Sequence, residues 1–141
     1  IKDGPPPAGG GKKYWGRWGL LTHEKVGVSA KPKYQALAFL NQIRGEQLRI
    51  SGEGTWVTGL AAKEGMTTRL ILINYDPQGA HAENVPVSFT NLEDGTYRFS
   101  QIFLLGQRQE RQVNLNGGLF SQTIFMPAES AALLELEKIS P

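Results

Sequence analysis

The spacing of hydrophobic residues changes once along this chain, close to residue 45. Between residues 31 and 45 the apolar side chains recur every three or four positions, which is the period of an α-helix. From residue 47 onward they alternate with polar side chains, and turn-forming residues interrupt the alternation at short intervals. The pattern predicts one helix near the start of the chain and only strands after it.

The helix is predicted to begin at Lys31 or Pro32, because a proline in the first turn gives up an amide that has no helical partner. Ser29 lies in the expected cap region, and Gly45 is the expected stop. The aromatic-rich segment 14–21 comes before the helix and is predicted to form a short buried strand, so the two make one βα unit. A buried stripe is expected along the helix, formed by Tyr34, Leu37, Ala38, Leu40 and Ile43.

Short strands at regular spacing account for the rest of the chain. Turn signals separate them, and Asn116-Gly117-Gly118 is typical of a tight hairpin because Asn and Gly tolerate positive φ. About eight such strands are typical of an antiparallel β-sandwich. We therefore predict a mainly β fold with two domains, a Pro/Gly-rich loop followed by a βα unit in residues 1–46, and a β-sandwich in residues 47–141. The predicted strands are 47–51, 55–62, 67–75, 85–89, 95–104, 111–115, 119–125 and 131–137.

Composition narrows the classes of function. With 141 residues, of which 40% are hydrophobic, the chain can bury one core. Its net charge is only +2 and its basic residues are scattered, so we expect neither a nucleic-acid nor a membrane partner. There is no cysteine, which excludes disulfides and thiolate chemistry. The chain begins at Ile1 rather than Met, so an upstream segment is expected, and localisation stays open between secreted and cytoplasmic.

Motifs for nucleotides and metals are incomplete. The run Gly9-Gly10-Gly11-Lys12 lacks the first glycine and the hydroxyl residue of a phosphate-binding loop. His23-Glu24 lacks the second histidine of a zinc-protease helix, and His81 is the one other histidine. No cofactor and no metal site are therefore expected.

Most carboxylates lie in turns or on outward strand positions and are expected to be solvated, Asp76 among them. His81 is expected to be solvated in a polar loop. A glycosidase needs two facing carboxylates about 5–10 Å apart. The sequence singles out no such pair. Glu24 differs from the others because it comes directly after a predicted strand.

The tryptophans allow more than one interpretation. Trp15 and Trp18 have odd spacing and point to opposite faces of a strand, so one could lie in a core and the other could stack on a sugar ring. Alternatively, both pack in a domain that this chain contains only in part. Trp56 begins an apolar strand and is predicted to lie in the sandwich core.

The order of these segments resembles one protein class. The segment Tyr14-Trp15-Gly16-Arg17-Trp18-Gly19-Leu20-Leu21, followed by Lys31-Pro32-Lys33-Tyr34-Gln35-Ala36-Leu37, resembles the eighth βα unit of retaining (β/α)₈-barrel glycoside hydrolases. In those enzymes this helix closes the barrel and leads into a C-terminal β-sandwich. The segments 70–75 and 126–136 are similar to strands of such sandwiches, and β-xylosidase-like members come nearest.

The resemblance implies that this chain holds no catalytic residue. In such families the catalytic glutamates end the fourth and seventh barrel strands, which would precede Ile1. Trp15, Trp18, His23 and Glu24 would lie on or near the last barrel strand and its loop, as candidate substrate-binding residues. The implied function is a non-catalytic accessory region, inactive alone, that packs on and stabilises the catalytic barrel of the same protein. Carbohydrate is a possible further partner.

Two other functions stay open. A stand-alone carbohydrate-binding module would use aromatic stacking, and an immunoglobulin-like structural module would self-associate without binding glycans. The apolar stripe of the helix leads to one expectation for all three functions. In a chain without the rest of the barrel, the stripe should either pack on the sandwich or drive oligomerisation.

Overall fold

The computed structural model of the protein describes residues 2, 5, 19–52, 54 and 56–140. The chain divides into two compact units, residues 1–41 and residues 42–141. Each unit is described by itself below. No helix among the described residues is both long and apolar enough to cross a bilayer.

The first unit contains a short 3₁₀ helix, Glu24–Val26, and helix α1, Pro32–Leu40. The predicted helix start is confirmed, with Lys31 at the cap and the proline in the first turn. Leu21 forms isolated bridges to Lys2, in parallel, and to Ala30, in antiparallel fashion. Most of the predicted strand 14–21 lies outside the described residues.

The predicted helix, residues 31–44 with Gly45 as its stop, extends four residues too far. Helix α1 ends at Leu40, where the N–H of Asn41 donates to the Leu37 carbonyl at 2.9 Å. Gly45 instead has φ +93°, and a Cβ built on it would lie 2.2 Å from the Lys63 carbonyl oxygen. Glycine is therefore required at this position for the close approach of two strands, and not to stop the helix.

The predicted burial of the helix stripe is also wrong. Tyr34, Leu37 and Leu40 are 45%, 53% and 44% exposed, and α1 contains no buried residue. A helix can bury a stripe only against a neighbouring layer. The part of this unit that the structure describes contains no strand beyond the isolated bridges at Leu21, so no described sheet covers the stripe.

The second unit is built from eight described strands and no described helix. Each predicted strand is present, with boundaries that differ by three residues at most. The strands are β1 Glu46–Leu48, β2 Val57–Glu64, β3 Thr67–Asn74, β4 Glu83–Thr90, β5 Gly95–Phe103, β6 Arg108–Leu115, β7 Leu119–Met126 and β8 Ser130–Ser140. The fold is therefore mainly β.

The strands form two antiparallel sheets. The larger has the order β1-β2-β3-β8-β5-β6, and the smaller pairs β4 with β7. Strand β8 is central because it pairs with β3 on one side and β5 on the other, so that Leu134 lies opposite both Leu70 and Gln101. The last strand of the sequence thus joins the first half of the larger sheet to the second.

Apolar residues of both sheets share one core. Leu134 and Leu136 of β8 are fully buried, and the rings of Phe99 and Phe120 meet across the sheets with centroids 4.9 Å apart. Beside β4 lies a groove of about 760 Å³, lined by residues of β2, β3 and β4, by residues 48–52 and by Gly54.

The larger sheet is also apolar on the face that points away from this core. Ile71 and Leu133 lie directly opposite each other there, and both are buried. Leu60 and Ile73 lie on the same face and are partly exposed. We call this surface the outer face of the larger sheet. Strands β3 and β8 therefore carry apolar side chains on both faces, which is typical of strands that lie between two layers.

Candidate functional site

Of the four sequence-predicted site residues, Trp15 and Trp18 lie outside the described residues. His23 and Glu24 lie next to each other in the loop before α1. The Nδ1 atom of His23 accepts a hydrogen bond from the Lys25 N–H at 3.2 Å and so caps the 3₁₀ helix. The Glu24 carboxylate is exposed and lies 3.9 Å from the Lys2 ammonium.

A buried threonine closes this loop. Thr22 is fully buried, and its N–H donates to the Ser29 carbonyl at 2.9 Å. Its hydroxyl oxygen accepts from the Ser29 N–H at 2.8 Å, and the hydroxyl donates to the Gly27 carbonyl. Ser29, which was predicted in the cap region of α1, therefore closes the loop, while the helix cap is Lys31 without a side-chain cap bond. His23 and Glu24 therefore lie in a short loop that these hydrogen bonds close.

A second polar cluster lies at the end of β3, where the sequence predicted only solvated groups. Asp76 is 1% exposed. One of its carboxylate oxygens accepts from the Gln78 N–H at 2.9 Å, and the other accepts from the Ala80 N–H at 2.9 Å. His81 Nδ1 lies 2.6 Å from that second oxygen. The expectation of a solvated Asp76 is therefore wrong, since the carboxylate organises the loop around itself.

Trp56 covers this cluster. Its ring stacks on the imidazole of His81, with centroids 4.9 Å apart and an angle of 24° between the planes. Trp56 is only partly buried and is not part of the main core, in contrast to the prediction. His81 stays about half exposed, but its position is held by the carboxylate on one side and by the indole on its face.

The electrostatics of this cluster favour an ionised aspartate. The Gln78 N–H, then the His81 side chain and the Ala80 N–H, lower the pKa of Asp76 from 3.8 to about 2. Among the described residues no hydroxyl is hydrogen-bonded to His81, so the pair lacks the nucleophile of a Ser–His–Asp triad. The arrangement is suited to holding a loop.

Asn74 ties the same loop to the smaller sheet. This buried side chain donates through Nδ2 to the carbonyl oxygens of His81 at 2.8 Å, Pro127 at 3.0 Å and Met126 at 3.2 Å. The end of β3, the loop before β4 and the end of β7 are therefore joined at one side chain. A local sequence signal existed here, because Asp76-Pro77-Gln78-Gly79 is an Asp-initiated turn, but nothing local indicated that Asn74 reaches β7.

The outer surface of the smaller sheet carries no charged side chain, and we call it the neutral face. Its eight exposed side chains carry no formal charge, and they lie opposite one another in pairs across β4 and β7. The hydroxyl oxygens of one pair, Ser88 and Ser121, are 2.8 Å apart. The four pairs are Asn84 with Phe125, Pro86 with Thr123, Ser88 with Ser121, and Thr90 with Leu119.

Charges concentrate instead on the outer face of the larger sheet. Glu135 accepts from Arg69 at 2.7 Å and from Arg108 at 3.1 Å. Burial would raise the pKa of Glu135, but the bonds from Arg69 and Arg108 outweigh it and lower the pKa. Arg98 and Glu137 form a further pair beside them.

No group of three His, Cys, Asp or Glu residues in the described part of the chain is arranged to hold a metal ion.

Comparison with solved structures identifies the fold. A family 39 glycoside hydrolase from Xanthomonas axonopodis pv. citri superimposes with a TM-score of 0.70 at 16% identity, over 90% of this chain and 33% of that enzyme. The fold of this chain is therefore similar to that of one part of this glycoside hydrolase. No protein-family model matches the chain, and no curated protein matches it in sequence.

Two further glycoside hydrolases agree with this assignment. A family 30 subfamily 8 xylanase from Clostridium acetobutylicum gives a TM-score of 0.60 at 16% identity, over 84% of this chain and 30% of that one. A family 51 α-L-arabinofuranosidase from Thermotoga petrophila gives 0.53 at 16% identity, over 84% and 31%. The chain therefore spans about a third of the length of these enzymes, and the likeness at this identity is one of fold.

Proposed function

We propose that this chain is a non-catalytic C-terminal region of a glycoside hydrolase. It would comprise the last βα unit of a (β/α)₈ barrel and a β-sandwich that packs on that barrel and stabilises it, with the catalytic glutamates upstream. The observation that carries the proposal is the uneven coverage, in which 90% of this chain matches only 33% of a family 39 enzyme. A match of this kind is expected for one segment of a larger catalytic protein.

The apolar surfaces of the two units support the same proposal. In the first unit, α1 presents Tyr34, Leu37 and Leu40 to solvent, as a helix taken out of a barrel would. In the second unit, the outer face of the larger sheet exposes Leu60 and Ile73, beside the buried Ile71 and Leu133 and a charged margin. A dry centre with a polar margin is the usual composition of a surface that packs on another domain.

The proposed contact with substrate involves the loop before α1. In a barrel, the loop that follows a strand at its C-terminal end faces the active site. His23 and Glu24, together with Trp15 and Trp18, are therefore proposed to lie at the rim of the substrate cleft. An imidazole and a carboxylate at such a rim can hydrogen-bond sugar hydroxyls, and the indole rings can stack on a sugar ring.

The first test measures hydrolysis by the chain itself. We expect no turnover of aryl β-xylosides, aryl α-arabinofuranosides or xylan, because both catalytic carboxylates would be absent. Robust hydrolysis that copurifies with the chain would overturn the proposal.

The second test uses the whole parent protein, obtained by reading the coding DNA upstream of Ile1. Ile73→Glu would place a charge in the proposed contact with the barrel, so we expect a lower melting temperature, by the equivalent of about 2 kcal/mol, with little change in KM. Met66→Glu, at an exposed turn position, is the matched control and should leave both quantities unchanged. An Ile73→Glu parent that melts like the wild type would contradict the packing proposal.

A further inference from the structure

The neutral face is unusual on this molecule because eight exposed positions carry no charge in a chain in which 20% of the residues are charged. The outer face of the larger sheet, by comparison, bears Arg69, Arg98, Glu135 and Glu137. We propose that the neutral face binds a neutral polysaccharide and that Phe125 is the platform on which a sugar ring stacks. Nothing in the proposed barrel-packing role requires this site.

The chemistry of the face matches that of a sugar ring. A pyranose has an apolar C–H surface and a rim of hydroxyl groups, so it needs an aromatic plane beside short polar groups. Phe125 is 58% exposed and offers such a plane. Asn84 lies directly opposite it in register, within reach of the same sugar, and its amide can both donate and accept hydrogen bonds.

The hydroxyl groups of the face continue along the strand. Thr123 and Ser121 follow Phe125 at two-residue steps on β7, each about 6.6–6.8 Å from the next, and Ser88 lies opposite Ser121. A linear glycan lying along β7 would therefore meet one hydrogen-bonding group after another. Because none of these groups is charged, no charge has to be desolvated when the glycan binds.

Other occupants match the face less well. Its two large apolar side chains, Phe125 and Leu119, lie at opposite ends with hydroxyl groups between them, so it lacks the continuous apolar centre of a dimer interface. A nucleic acid or an anionic lipid surface would need cations to neutralise phosphates, and the face has none.

The other aromatic side chains of this unit are less suitable as platforms. Trp56 has one ring face stacked on His81 and is partly buried. Tyr75 is 64% exposed but follows the end of β3 and is not part of the neutral face. It therefore provides a matched control, since it is an aromatic side chain of similar exposure at a different place on the same unit.

The experiment is affinity electrophoresis of the full chain in gels that contain soluble arabinoxylan or mixed-linkage β-glucan. We expect retardation of the wild type that persists in about 0.5 M NaCl, because screening does not weaken contacts between neutral groups. Phe125→Ala should weaken binding roughly tenfold, the scale of one large lost apolar contact, and Tyr75→Ala should bind within about twofold of the wild type. Circular dichroism of both variants checks that the fold is retained.

Several results would overturn the inference. The first is a wild type that neither glycan retards. The second is a Phe125→Ala variant that is retarded as much as the wild type. The third is binding that is lost in Tyr75→Ala but not in Phe125→Ala. Sedimentation that shows a dimer dissociated by Phe125→Ala would assign the face to a second copy of the chain. None of these results depends on the barrel-packing proposal, which is tested by Ile73→Glu on the outer face of the larger sheet.

Discussion

Asp76 shows how a single side chain acquires a role that its neighbours in sequence reveal only in part. It lies in an Asp-Pro-x-Gly turn, where the carboxylate is expected to bond the nearby backbone but to stay in contact with solvent. The folded chain buries it and directs the N–H groups of Gln78 and Ala80 to its oxygens. These bonds form only when residues 76–81 close on themselves, so no periodic pattern signals them.

The lowered pKa of Asp76 predicts how stability depends on pH. Since the pKa is about 2 in the folded chain and 3.8 ordinarily, the contribution of Asp76 to folding is complete above about pH 4. It is lost progressively as the pH falls through about 2. We expect thermal unfolding measured between pH 2 and pH 6 to show this loss in the wild type.

Asp76→Asn provides the comparison for that measurement. The variant should melt at a lower temperature than the wild type at pH 6, and the gap should narrow towards pH 2, because an amide does not titrate. Glu110→Gln, on strand β6, should keep the wild-type difference between pH 6 and pH 2. A constant gap between wild type and Asp76→Asn across the range would show that the carboxylate charge contributes nothing.

At the scale of elements, the strands were predictable and the helix was predictable only in part. Alternation along 95–104 and glycine-containing turns are local signals, because a strand with one buried face must alternate wherever it pairs. The helix start followed from Pro32, which acts within one turn. The helix end could not be predicted in this way. Gly45 is needed because the backbone passes close to Lys63, a residue that is distant in sequence, and it does not end the helix.

Strand β8 is the element on which the larger sheet depends. It pairs with both β3 and β5, and its Leu134 is fully buried in the core. Leu134→Ala should destabilise the chain by about 2–5 kcal/mol through lost contacts and a cavity. Ile139→Ala, at an exposed position near the end of the same strand, should cost less than about 1 kcal/mol. Urea unfolding of both variants checks the difference, and equal losses would contradict the central place of β8.

At the scale of the whole molecule, the exposed stripe of α1 predicts behaviour in solution. Tyr34, Leu37 and Leu40 form an apolar surface that a barrel would cover in the proposed parent protein. We expect the isolated chain to self-associate weakly at high concentration, because exposed apolar patches of this kind seek partners.

Leu37→Glu should reduce this self-association in sedimentation experiments without lowering the melting temperature, because the side chain is exposed. Leu119→Glu, at an equally exposed position on β7, is the control and should leave the association unchanged. A wild-type chain that stays monomeric at every concentration would show that the stripe is not an association surface in solution.

The sequence by itself determined the eight strands of the second unit and where α1 begins, because these follow from local periodicity and from proline and glycine. Only the tertiary structure decided how β8 joins the two halves of the larger sheet, that Asp76 is buried beneath His81 and Trp56, and that β4 and β7 share a face without charge. These features depend on contacts between residues far apart in sequence or across a loop, and such contacts leave no period in the sequence.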